Sequence, residues 1–102
     1  MQYNCIDNDY FIYIEKNEKV MDFLTQFCVD QKITNAKISG IGAVKNSEIG
    51  AYDTTSKKYI RKPFTEVWEL VNFEGNVTLK DGAPFIHAHV VLSDHNMQTI
   101  GG

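Results

Sequence analysis

The sequence predicts an α+β fold: a mainly antiparallel β-sheet of about six strands with one flanking amphipathic helix. Three observations carry that expectation. One stretch alone has helical periodicity. Most of the chain after that stretch is β-branched, aromatic or alternating, as strands prefer. The strand candidates succeed one another through short turns with no crossover helices, which argues for antiparallel pairing. A chain of 102 residues is one domain's worth, so residues 1–102 are read as a single domain.

The first strand candidate is "DYFIYIE", Asp9 to Glu15. A helix follows, with Asn17 as N-cap and Glu18 in the first turn, where a carboxylate suits the helix dipole. Val20, Leu24, Phe27 and Cys28, with Phe23 beside them, form one apolar face running to about Lys32. That face is expected to pack on the sheet. "NAKISGIGAVKN" is extended, and "SEIGAYD" is its expected hairpin partner. "KKYIRKPF" is a further short strand, with Pro63 limiting its pairing. "TEVWELVNF" comes next as a strand, then "GNVTLKDG" with turns at Gly75-Asn76 and Asp81-Gly82, the second favoured in tight hairpins. "PFIHAHVVLSD" is the last long strand.

With 43% hydrophobic and 12% aromatic residues, the chain can build a core. Its net charge of −3 is a weak argument against direct nucleic-acid binding, which usually shows a basic balance, and it does not exclude a local basic patch. Cys5 and Cys28 are far apart and in no CxxC motif, which predicts reduced thiols and a cytoplasmic home. No stretch is long and apolar enough to span a membrane as a helix.

"SGIGAV", Ser39 to Val44, matches neither a phosphate-binding loop nor a dinucleotide fingerprint, because the lysine and third glycine those need are missing. Its glycines are read as a bulge or a close backbone approach. "KKYIRK" gathers Lys57, Lys58, Arg61 and Lys62, four of the ten positive charges. These are the candidate phosphate contacts; the plainer reading is a strand edge kept in solution by lysines. Asp53, Glu66, Glu69, Glu74 and Asp94 are scattered, and no serine or cysteine sits in a nucleophile motif, so no catalytic residue is assigned.

The histidines concentrate near the C-terminal end. On a strand, Ile86, Ala88, Val90 and Leu92 form one wholly apolar face, and Phe85, His87, His89 and Val91 form the other. His87 and His89 then point the same way, with Cα atoms about 6.5–7 Å apart, so two imidazoles can converge on one metal. Zinc takes three or four ligands; Asp94 and His95, just past the strand, are the candidate third donors. The plainer alternative is a pair of histidines lining a sheet face. Gly82, His87, His89, Asp94 and Gly101 also approximate the first cupin motif, with one gap a residue short and Asp in place of Glu. The alternative function is therefore a small cupin-like metal-dependent enzyme using His87, His89 and Asp94.

"ISGIGAV", then "IGAYD", "KKY", "GNV", "PFIHAHVVLSD" and a closing "GG", in that order, resemble the plant-and-prokaryote-conserved (PPC) domain across nearly the whole chain. The resemblance implies a mainly antiparallel sheet with a flanking helix. It implies a homotrimer, contacts with other proteins, and a candidate DNA-binding or transcription-associated role; no AT-hook is present. It also implies a His-lined pocket for zinc or a small ligand. His87 and His89 match its first two histidines. The family's Gly-Gly-His-Leu would place the third just beyond Gly102, so the resemblance implies that the domain lacks its last strands or that a neighbouring subunit completes them.

Overall fold

The computed structural model describes residues Met1–Gly102. The chain forms β1 (Gln2–Ile6), β2 (Asp9–Tyr13), α1 (Val20–Asp30), β3 (Ala36–Asp53), β4 (Lys58–Lys80), β5 (Ala83–Ser93) and β6 (Thr99–Gly101). β1 and β2 make a two-stranded sheet; the other four strands form a sheet in the order β3-β4-β5-β6. The α+β expectation therefore holds, with six strands and one helix.

The strand boundaries differ from those the sequence suggests. "NAKISGIGAVKN" and "SEIGAYD" are one 18-residue strand, not a hairpin. Asn46, at the expected turn, has φ of 55°, a left-handed residue inside the strand. Asparagine tolerates that conformation, and one such residue bends a strand as a bulge does without reversing it. The segments from Lys58 to Lys80 likewise fuse into one 23-residue strand that runs through Pro63 and Gly75. The expected Gly75-Asn76 turn is absent, because the chain at Gly75 packs closely against β5. The Asp81-Gly82 turn is present: φ is 53° at Asp81 and 80° at Gly82, the two left-handed residues of a two-residue hairpin.

Two compact units can be described separately. The first comprises Met1–Ala36 and Val77–Ile86. Its buried side chains are Leu24, Phe27 and Cys28 from α1, with Val77 and Ile86. β1, which sequence patterning does not reveal, pairs antiparallel with β2, Tyr3 opposite Ile12 and Cys5 opposite Tyr10. That register turns Tyr3 and Tyr10 toward the helix, where Phe27 meets both rings edge-on at 5.0 and 5.2 Å. So the apolar helix face does pack on strands. The helix begins later than expected: Lys19, not Asn17, is the N-cap, with no side-chain cap hydrogen bond. Asn17 sits in a turn at φ 71°, and the backbone N–H of Glu15 donates to the Glu18 carboxylate at 2.8 Å.

The second unit comprises Lys37–Asn76 and His87–Gly102. Phe73, Leu92 and Ser93 are its buried side chains, and Gly75 is buried beside Phe73. β6 pairs antiparallel with β5, Leu92 opposite Ile100. Gly102 extends the pairing: its N–H donates to the Val90 carbonyl at 3.2 Å, and the Val90 N–H donates to its carbonyl at 2.8 Å. It also lies against β3, where an added Cβ would fall 2.6 Å from the Gly50 carbonyl oxygen. No side chain fits there, so only glycine lets the backbones approach this closely. Gly40 and Gly42 meet no such approach within the chain; a Cβ on either would face open space.

No helix is long and apolar enough to cross a membrane.

Candidate functional site

β5 alternates as its sequence implies. Ile86 and Leu92 are buried, Ala88 and Val90 half-buried, while Phe85, His87 and His89 are exposed. His87 and His89 therefore share one face, their ring centroids 5.2 Å apart with the planes at 33°. Apolar residues on one side of the strand drive this arrangement, and the imidazoles take the other side by alternation.

The two imidazoles line an open pocket of about 300 Å³ with Glu74, Gly75 and Asn76. The last three belong to β4, the neighbour of β5 in the sheet. Phe73, Gly75 and Val77 are buried while Glu74 and Asn76 are exposed. Gly75 explains why no turn forms here. A Cβ at that position would lie 3.2–3.3 Å from Phe73, Ala88 and the His87 carbonyl oxygen, so the glycine lets β4 pass flush behind the histidine strand. Sequence reasoning missed these three wall residues because Gly-Asn reads locally as a turn. The usable signal was the period-two spacing of Glu74 and Asn76.

Glu74 is the pocket's carboxylate, but it faces the Lys37 ammonium at 3.4 Å. No group of three or more His, Cys, Asp or Glu side chains in the chain is placed to hold a metal. Lining one pocket is a looser condition than converging on one ion. His87 and His89 come together as expected. Asp94 and His95 are not brought to them. Asp94 shapes the β5–β6 connection instead: its Oδ1 accepts from the N–H groups of Asn96 and Gln98, both at 2.9 Å. Its own N–H donates to the Gln98 carbonyl at 3.0 Å. The carboxylate that the cupin-like alternative needs as a ligand is held by a turn.

The basic strip lies at the end of the β3–β4 hairpin. Lys57 is in the turn with φ of 58°; Lys58, Arg61 and Lys62 are exposed on β4. Arg61 reaches Glu48 on β3 at 3.1 Å, and its guanidinium lies 5.6 Å from the Tyr59 ring centroid. Tyr59 in turn lies 5.1 Å from Tyr52. The turn is pinned by Asp53, whose Oδ1 accepts from the Thr55 N–H at 2.9 Å. That bond, with further ones from the Ser56 hydroxyl and amide, lowers the Asp53 pKa.

Comparison with known proteins agrees with this architecture. The sequence model of the Plants and Prokaryotes Conserved (PCC) domain matches residues 1–102. A plant- and prokaryote-conserved protein of Pyrococcus horikoshii is 38% identical with a TM-score of 0.85, over 87% of this chain and 62% of its own. A protein of Bacteroides thetaiotaomicron described as a putative DNA-binding protein is 26% identical with a TM-score of 0.96, over 99% of this chain and 71% of its own. A protein of Archaeoglobus fulgidus described as metal-containing is 35% identical with a TM-score of 0.82, over 87% of this chain and 63% of its own. The chain thus spans less than two thirds of the Pyrococcus and Archaeoglobus proteins. No curated protein shows significant sequence similarity to it.

Proposed function

The chain belongs to the Plants and Prokaryotes Conserved domain family, and from that premise we propose that it is a DNA-associated binding module. In this reading it assembles as a homotrimer and holds a divalent metal or small ligand at His87 and His89. The observation that carries the pocket is the pairing of two exposed imidazoles, 5.2 Å apart, on one wall of an open cavity. Imidazole nitrogens suit zinc, which needs three or four donors. His87 and His89 supply two. Water, a small ligand or a second copy of the chain would supply the rest. The Archaeoglobus relative's description as metal-containing favours the same reading.

Assembly is favoured by apolar surface on the second unit. Ile41 is 83% exposed, and Ile60, Val67 and Val71 are about half exposed. Exposed apolar side chains in this number suit an interface, and β3 is an edge of its sheet with Ser39–Ala43 open to solvent. The DNA part rests on the Bacteroides relative's description and on the Lys57–Lys62 strip.

Native mass spectrometry with added zinc, beside gel shifts with duplex and with single-stranded DNA at low salt, tests the reading. The expected result is a trimer mass carrying metal that His87→Ala loses, and a retarded DNA band. A metal-free monomer overturns the assembly and pocket, and the absence of any shift overturns the DNA role.

A further inference from the structure

We propose that the end of the β3–β4 hairpin binds single-stranded nucleic acid, with Tyr52 and Tyr59 receiving bases and Arg61 and Lys57 receiving phosphates. The proposal rests on the DNA-associated reading of the chain and narrows it to one strand and one surface.

Tyr52 and Tyr59 flank the hairpin turn, 5.1 Å apart, and are 52% and 62% exposed. Neither ring helps form a core. Side-by-side exposed aromatic rings offer π-faces to any unpaired base, a contact that tolerates all sequences. Arg61 follows Tyr59 by two residues and so shares its face, with its guanidinium 5.6 Å from the ring centroid. Its partner Glu48, at 3.1 Å, is more than half exposed, as Arg61 is. Such a surface pair is weak, and a phosphate can take Glu48's place with a bidentate, charge-assisted contact.

Charge complementarity selects the occupant. From Glu48 to Lys62 there are four cations against two carboxylates, although the whole chain carries −3. One of those carboxylates, Asp53, is held by the turn. Lys58 and Lys62 alternate to the opposite face and add attraction without contact to the same strand. Bases stacked inside a duplex cannot reach tyrosine faces, whereas those of a single strand can. An apolar protein partner would gain little from this concentration of cations.

The test is fluorescence anisotropy of the full chain with labelled oligothymidine, oligouridine and a duplex at about 50 mM salt and above. Either single strand should bind better than the duplex. The two phosphate contacts, Arg61 and Lys57, predict a slope of log K against log salt of about −1.4. Tyr59→Ala should weaken single-strand binding by about tenfold or more. Tyr59→Trp should retain binding and add indole fluorescence that the oligonucleotide quenches. That readout serves even where the alanine variant folds poorly. Unchanged affinity in both Tyr59→Ala and Tyr52→Ala, or an unquenched indole, overturns the proposal. Duplex binding without single-strand binding overturns it and leaves the broader DNA reading standing; binding of neither removes both.

Discussion

Gly75 lies flush against His87: a Cβ on Gly75 would sit 3.3 Å from the His87 carbonyl oxygen. It would also meet Ala88 Cβ at 3.3 Å and the Phe73 ring at 3.2 Å. All three distances require the neighbours to give slightly. Gly75→Ala is therefore expected to destabilise by up to about 1 kcal/mol, and Gly75→Val by about 1–3 kcal/mol, in the range of overpacking. Urea unfolding measures the difference. A Gly75→Val chain as stable as the native one would show that this contact does not constrain β5.

The histidines themselves should be cheap to remove. Both are exposed, so His87→Ala and His89→Ala are each expected to change stability by no more than about 0.5 kcal/mol. If the pair is a metal-binding element, each variant should also lose zinc-dependent thermal stabilisation. Stabilisation by zinc that survives in the double variant would place the metal elsewhere.

Phe27 is the opposite case. It is 4% exposed and meets Tyr3 and Tyr10 edge-on. Phe27→Ala should cost about 3–5 kcal/mol through lost burial and the cavity left behind, together with two aromatic contacts of about 0.5–1.5 kcal/mol each within that total. Thermal melts monitored by circular dichroism measure the loss. A value below about 1 kcal/mol would mean that the first unit is not organised around this side chain.

The two cysteines are free, Cys5 exposed and Cys28 buried. Burial raises the Cys28 pKa, which disfavours its reactive thiolate. With a thiol reagent at neutral pH, one thiol per chain should react promptly and the second only in denaturant. Equal rates for both would contradict the placement of Cys28.

Asp53 predicts an acid response. Its pKa is lowered, first by the Thr55 N–H and then by the Ser56 hydroxyl and amide. A depressed carboxyl contributes stability that is complete above its unfolded-state pKa, about 3.9, and lost as pH falls through the lower folded-state value. Asp53→Asn should therefore loosen the hairpin at neutral pH, with the gap to the native chain closing in strong acid. Amide exchange at Thr55 followed across this range reads it directly; a gap that stays constant would reject the carboxylate's role.

What the sequence by itself determined was local. The apolar face of α1 was legible because a 3.6-residue period appears wherever one side of a helix is buried. The Asp81-Gly82 turn was legible because two consecutive left-handed residues leave little choice of residue type. The shared face of His87 and His89 came from strand alternation alone. The tertiary structure decided what depends on residues distant in the chain. Gly75-Asn76 continues a strand because β4 must pass close behind His87 and Ala88, and β3 runs on through the left-handed Asn46 instead of reversing there. β1 lacks a pattern of its own and exists through its pairing with β2. Asp94, a ligand candidate on spacing, became the acceptor for Asn96 and Gln98, since nearby backbone N–H groups reach a carboxylate at a strand end before a distant imidazole pair can. Glu74 joined the pocket only because sheet order set β4 beside β5, a neighbour relation that local spacing does not encode.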